Sequence, residues 1–241
     1  MTNDYSMFVK DKHNRQVVAN QKVINSMKAH GFIPQLAIIT YKQPDGKLLI
    51  IDGHHRFQFA QDLKIPLWYS ITDDRTIKPQ ELVGRPWSLV DFITAHMVDN
   101  THLKCIYKNA EACGVNHVVM AALLSGKWTG VVKSIRDLTI KVDGVDHANS
   151  VLKVTEAAGK AVKWSKSSRF IQAISYAIKF SKMDQKILID RIAAHPTMLQ
   201  PQTNLDGYIK MIEDIHNFST RNKSKVNIVF QVKQALRGES E

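Results

Sequence analysis

Two short apolar runs joined by a turn constrain the fold of this chain most strongly. Leu36–Tyr41 reads LAIITY and Leu48–Ile51 reads LLII. Between them, Gln43–Lys47 (QPDGK) supplies Pro44, Asp45 and Gly46, residues that reverse a chain tightly. β-branched and apolar residues on both sides predict a hairpin. A polar pentapeptide, Asp52-Gly53-His54-His55-Arg56, follows the second strand at once. Phe57–Leu63 (FQFAQDL) then has helical character and ends before Ile65-Pro66, and Leu67–Ile71 (LWYSI) reads as another strand. Upstream, Gln21–His30 predicts a helix with Val23, Ile24 and Met27 on one face, Asn20 at its start and Gly31 as its stop. The order is helix, strand, turn, strand, polar motif, helix, strand, a small α+β unit.

From Pro79 onward the pattern changes to helical spacing. Helices are expected at Trp87–Met97 with Ser88 near the cap, at Leu103–Cys113 and at Asn116–Leu124, then at roughly 147–162, 167–181 and 184–194, and at Leu205–Phe218. Ile140–Gly144 reads as a turn or short hairpin, and Val226–Leu236 as a last helix or strand. The fold class is therefore α+β, with a first domain over residues 1–78 followed by a mainly helical domain over 79–241.

Composition narrows the function classes. Hydrophobic residues at 44% and charged residues at 23% are globular values and exclude a disordered chain. No apolar run approaches the roughly 18 residues of a membrane span. The opening MTNDYSMFVKDKHNR has no apolar signal region, and two cysteines eight residues apart, Cys105 and Cys113, form no disulfide framework. A reduced cytoplasm fits this usage. Lys and Arg number 33 against 22 Asp and Glu, a formal charge of +11. The excess is +4 over residues 1–80, zero over 81–150 and +7 over 151–241. Such a balance attracts polyanions, nucleic acid first among them.

The chemistry concentrates at the strand-to-helix corner. Gly53 permits a tight turn or a close approach of backbone to ligand. N–H groups at a helix start bind phosphate oxygens. Arg56 can fork onto a phosphate, and His54 and His55 can add hydrogen bonds or exchange a proton near neutral pH. Asp52 can orient the motif, hold Mg²⁺ through the phosphates or act as a base, so Asp52 and His55 are the catalytic candidates. Adjacent histidines in an extended strand would face opposite ways, and no ligand partner lies nearby in sequence, so no metal site is assigned.

These residues carry a resemblance. Asn20–Thr72 resembles the ParB/sulfiredoxin fold in its helix VINSMKAHG, its GFIP phrase before a strand, its run IIDGHHRFQFAQDL and its Ile65-Pro66 entry to the next strand. The corner motif is similar to GERR in ParB-type partition proteins, to GCHR in sulfiredoxins and to DGHHR in free-serine kinases of this fold. The resemblance implies that Gly53, His54, His55 and Arg56 contact a nucleoside triphosphate, ATP or CTP, with Mg²⁺. It also implies a homodimer. His54 stands where sulfiredoxins carry their cysteine, so sulfinic-acid repair has no nucleophile here. Helix VINSMKAHG opens without an acidic residue that would serve a kinase as base.

A second candidate is a helix-turn-helix over residues 104–126, in which Gly114-Val115-Asn116 separates two helical segments. ParB-like proteins place such a unit after the nucleotide-binding domain. Asn116, His117, Met120 and Lys127 would lie near its DNA-facing side, where Asn reads adenine and Lys meets phosphate or guanine. Lys153, Lys160, Lys163, Lys166 and Arg169, with Trp164 among them, would track a phosphate backbone or form a solvated face. Two readings follow. One is a ParB-like DNA-binding protein that holds a nucleotide at the corner. The other is an enzyme on the same fold, an ATP-dependent kinase or a metal-dependent nuclease.

Overall fold

The computed structural model describes residues 1–13, 17–74 and 87–238. The chain is α+β and divides into two compact units, Met1–Thr101 and His102–Glu241. The domain boundary expected at 78/79 lies outside the described residues. The observed division falls later, so the helix over Leu89–His96 belongs to the first unit.

In the first unit, β1 (Phe8–Lys10), β2 (Ile38–Lys42), β3 (Leu48–Asp52) and β4 (Tyr69–Thr72) form one mixed sheet in the order β1-β3-β2-β4. The hairpin forms, with Thr40 opposite Ile50 and Lys42 opposite Leu48, and a register shift falls between Ile39 and Thr40. β1 runs parallel to β3, and β4 runs parallel to β2. Two helices complete this arrangement: α1 (Gln21–His30), capped by the Asn20 side chain on the Val23 N–H, and α2 (His54–Leu63). Phe8, Met27, Phe32, Ile38, Ile50, Phe57 and Leu67 form the core between sheet and helices. Full burial of one such side chain stabilises by about 1.5–3 kcal/mol. The Tyr5 hydroxyl donates to the carbonyls of Ala60 (3.1 Å) and Ile65 (2.7 Å), closing the end of α2.

Several expectations shift by a few residues for local reasons. Leu36 is outside β2 because Pro34 opens a short 3-10 turn over Pro34–Leu36. Leu67 pairs only with Thr2, as an isolated bridge. β1 has three residues, too few for a legible alternation. α3 (Leu89–His96) opens with a capping box between Ser88 and Asp91.

The second unit is helical throughout: α4 (Thr101–Cys113), α5 (His117–Ser125), α6 (Val131–Arg136), α7 (Val145–Gly159), α8 (Ser168–Phe180), α9 (Gln185–Ala194), α10 (Leu205–Asn217) and α11 (Ile228–Gly238). The last element is thus a helix, not a strand. The short α6 has no counterpart in the sequence reading. Residues 140–144 form neither hairpin nor strand. Among the described residues, no helix is long and apolar enough to cross a membrane.

Candidate functional site

The pentapeptide occupies the junction of β3 and α2. Asp52 is the last residue of β3, and Gly53 is the N-cap of α2 in a left-handed conformation (φ 90°, ψ 17°). Two independent reasons require glycine there. The positive φ strains any L side chain, and a Cβ would lie 2.7 Å from Ile38 Cγ2 and 3.2 Å from an Arg56 terminal nitrogen.

α2 begins at His54, earlier than the expected Phe57. The two histidines therefore stand on the first helical turn and not in extended chain. His54 is buried, and its ring centroid lies 4.5 Å from that of His55. His55 also faces Phe59 at 6.3 Å. The first helical hydrogen bond runs from the Phe57 N–H to the Gly53 carbonyl (2.8 Å), so the start of α2 opens toward the corner.

Arg56 is held by three acceptors. One terminal nitrogen donates to the carbonyls of Leu36 and Ala37, and the other donates to Asp52 Oδ2 at 2.9 Å. A guanidinium has five N–H groups, so two remain for a ligand. Asp52 and Arg56 keep 26% and 24% of their side-chain surface, enough for a small anion to reach them.

Beside Arg56 opens a cavity of about 220 Å³. Its walls are apolar, from Val23, Met27, Phe32, Ile33 and Leu36, with Lys22, Ser26 and Arg56 as the polar residues. An apolar wall beside two cations suits a ring carrying phosphates. These residues therefore fit a nucleotide. Lys22 sits in the first turn of α1, which has no acidic residue. Sequence reading missed Lys22 and the Leu36 and Ala37 carbonyls, because 34 residues separate Lys22 from Arg56 and carbonyls leave no mark in side-chain identity. Among the described residues, no cluster of His, Cys, Asp and Glu is arranged to hold a metal ion.

In the second unit, helix, turn and helix form where expected. Gly114 has φ 59°, and Val115 is buried beneath the turn. The exposed reading face does not follow. Met120 is fully buried, as are Ala121, Leu123 and Leu124, so Met120 cannot touch DNA. α5 is apolar on every side and packs among α6, α7 and α8, which makes it a core helix. Its last residue, Ser125, is half-buried, and its first turn nears the surface. There the Asn116 side chain accepts from the Val118 N–H (2.8 Å) as a cap, and the His117 ring faces Tyr107 at 5.3 Å with 13% of its side chain exposed. Lys127 lies beyond the helix and is exposed.

The basic series also divides. Lys166 Nζ donates to the Cys113 carbonyl (2.6 Å), satisfying the end of α4, and Arg169 donates to the Thr203 carbonyl. Trp164 packs on Phe170 and Tyr208 at 5.2 and 5.7 Å. Lys153, Lys160 and Lys163 remain as side chains available to solvent. The second unit carries 21 of the 33 Lys and Arg against 12 of the 22 Asp and Glu.

Three other histidines have defined partners away from the corner. His13 lies between Asp99 (2.7 Å) and Asp11 (3.3 Å) and stacks on His96 at 4.9 Å. Burial, and then the His13 charge, lower the His96 pKa. His147 bonds Ser175 at 2.9 Å, and burial followed by Lys179 lowers its pKa.

The chain matches no protein-family model, no curated protein and no solved structure.

Proposed function

We propose that this is a nucleotide-dependent DNA-binding protein, with a ParB/sulfiredoxin-like first unit and a basic helical second unit. One observation carries the reading: Arg56 belongs to the strand-to-helix corner and also walls the apolar cavity that contains Lys22. Phosphates meet Arg56 and the start of α2, and the base occupies the apolar wall. Mg²⁺ would neutralise the phosphates between these groups. Asp52 orients Arg56, with His54 and His55 beside it. The charge surplus of the second unit supports contact with a DNA backbone. Asn116, His117 and Lys127 remain as its side chains nearest the surface around α5, and the all-round burial of α5 favours phosphate contact over base reading.

The test is titration of ATP, CTP and GTP, each with Mg²⁺, against the wild type and Arg56→Ala, with and without duplex DNA. The expected result is nucleotide binding that Arg56→Ala removes and a DNA affinity that changes with nucleotide. Nucleotide binding without any DNA binding would replace this reading with a phosphotransferase. Salt-sensitive DNA binding indifferent to nucleotide and to Arg56→Ala would leave the second unit acting alone.

A further inference from the structure

Two imidazoles stack in the first unit, on segments far apart in the chain. His13 follows β1, and His96 is the last residue of α3. Their ring centroids lie 4.9 Å apart, with the planes 23° from parallel. The buried Phe92, one turn earlier on α3, faces His96 at 4.3 Å. Charged groups surround the stack. His13 Nε2 lies 2.7 Å from Asp99 Oδ2, and its Nδ1 lies 3.3 Å from Asp11 Oδ1. Lys12 Nζ reaches the same Asp99 oxygen at 2.8 Å. Backbone bonds hold both carboxylates in place. The N–H groups of Asp99 and Asn100 donate to the His96 carbonyl at 3.3 and 3.1 Å, and the His13 N–H donates to Asp11 Oδ1 at 2.8 Å.

This arrangement has room for one imidazolium and not for two. Carboxylate oxygens only accept, so both ring nitrogens of His13 donate and that ring carries the charge. Asp11 and Asp99 then balance Lys12 and His13, and neither carboxylate is left over. A proton on His96 sets a second cationic ring face to face with the first. His96 resists that proton: burial first, and then the His13 charge, lower its pKa, against the opposite pull of Asp11 and Asp99. These are the charged groups acting on His96 among the described residues, with Lys12 on the far side of Asp99.

We propose that the cluster is an acid-opened clasp, in which a proton on His96 parts the two rings and frees the segment after β1 from the end of α3. The sign follows from the depressed His96 value. The clasp is closed above about pH 6.5 and opens as pH falls from there toward that value. β1 is a three-residue edge strand paired with β3 alone, so it loosens first when the clasp opens. Nothing in this device requires a nucleotide or DNA, so failure of the proposed function would leave it standing.

The experiment is NMR on the full chain between pH 7.5 and 5.0, in wild type, His96→Phe and His13→Gln. Three signals are followed: the ring titrations of both histidines, NOEs between the side chains at positions 13 and 96, and amide protection of Phe8–Lys10 corrected for intrinsic exchange. NOEs between Phe8 and Phe57, 5.4 Å apart in the core, report that the unit stays folded. In wild type the 13–96 NOEs should vanish with the His96 midpoint, and β1 protection should fall several-fold. His96→Phe keeps a ring there and cannot take a proton, so both signals should persist into acid. His13→Gln removes the neighbouring charge and should raise the His96 midpoint, which a purely structural contact would not do. The proposal is overturned if the wild-type stack survives below the His96 midpoint. It is also overturned if His96→Phe loses the NOEs at the same pH, if His13→Gln leaves the His96 midpoint in place, or if the Phe8–Phe57 NOEs disappear in step with the stack.

Discussion

The Asp52 carboxylate and the Arg56 guanidinium, one at the end of β3 and the other in the first turn of α2, are joined at 2.9 Å across the glycine that separates strand from helix. The pair points Arg56 at the same place that the Leu36 and Ala37 carbonyls do. Asp52→Asn keeps the shape and removes the charge. A partly buried pair that still reaches solvent contributes about 0.2–1 kcal/mol, so urea unfolding should move little. Nucleotide affinity, measured by calorimetry, should fall several-fold because Arg56 loses the charge that holds it in place. Unchanged affinity would remove Asp52 from the site.

Gly53→Ala should act through the backbone. The added methyl meets Ile38 Cγ2 at 2.7 Å, and φ is positive. A cost of about 1–3 kcal/mol is expected, visible as a lower urea midpoint with an unchanged slope.

Met120→Ala tests where α5 sits. A fully buried methionine cut to alanine should cost about 2–5 kcal/mol. DNA affinity per folded molecule should not change. A variant of wild-type stability with altered DNA binding would restore the reading face that the structure removes.

His216 gives the chain a dependence on acid. It is buried, its Nε2 accepts from the Asp184 N–H at 3.2 Å, and its Nδ1 faces Asn217 Oδ1 at 3.4 Å. Burial is the main cause of a pKa below the ordinary 6.5. Arg191 lowers it further, while Asn217 and Asp184 act in the opposite direction. The unfolded chain therefore binds the proton more readily than the folded one. Stability should be full above about pH 6.5 and decline as pH falls from there toward the lowered folded value. His96 and His147 shift the same way. Urea unfolding at pH 7.5 and 5.5 should show the loss, and His216→Asn should show less of it. An equal loss in both proteins would assign the dependence to other groups.

Much of the first unit was legible because its signals are local. Asn20 and Gly31 bracket α1, Pro44-Asp45-Gly46 turns the hairpin, and Gly53 marks the bend into α2; each acts on backbone a few residues away. The helical order of the second unit was legible for the same reason, since Asn116 and Gly126 are caps. What Arg56 bonds, and the meeting of Lys22 with it, were decided only by tertiary structure, because packing brings distant segments to one place. The same holds for Met120. Its sequence spacing suited an exposed face, but Val119 to Leu124 form an unbroken apolar run, and a helix apolar on all sides is driven to the centre by the area it removes from water.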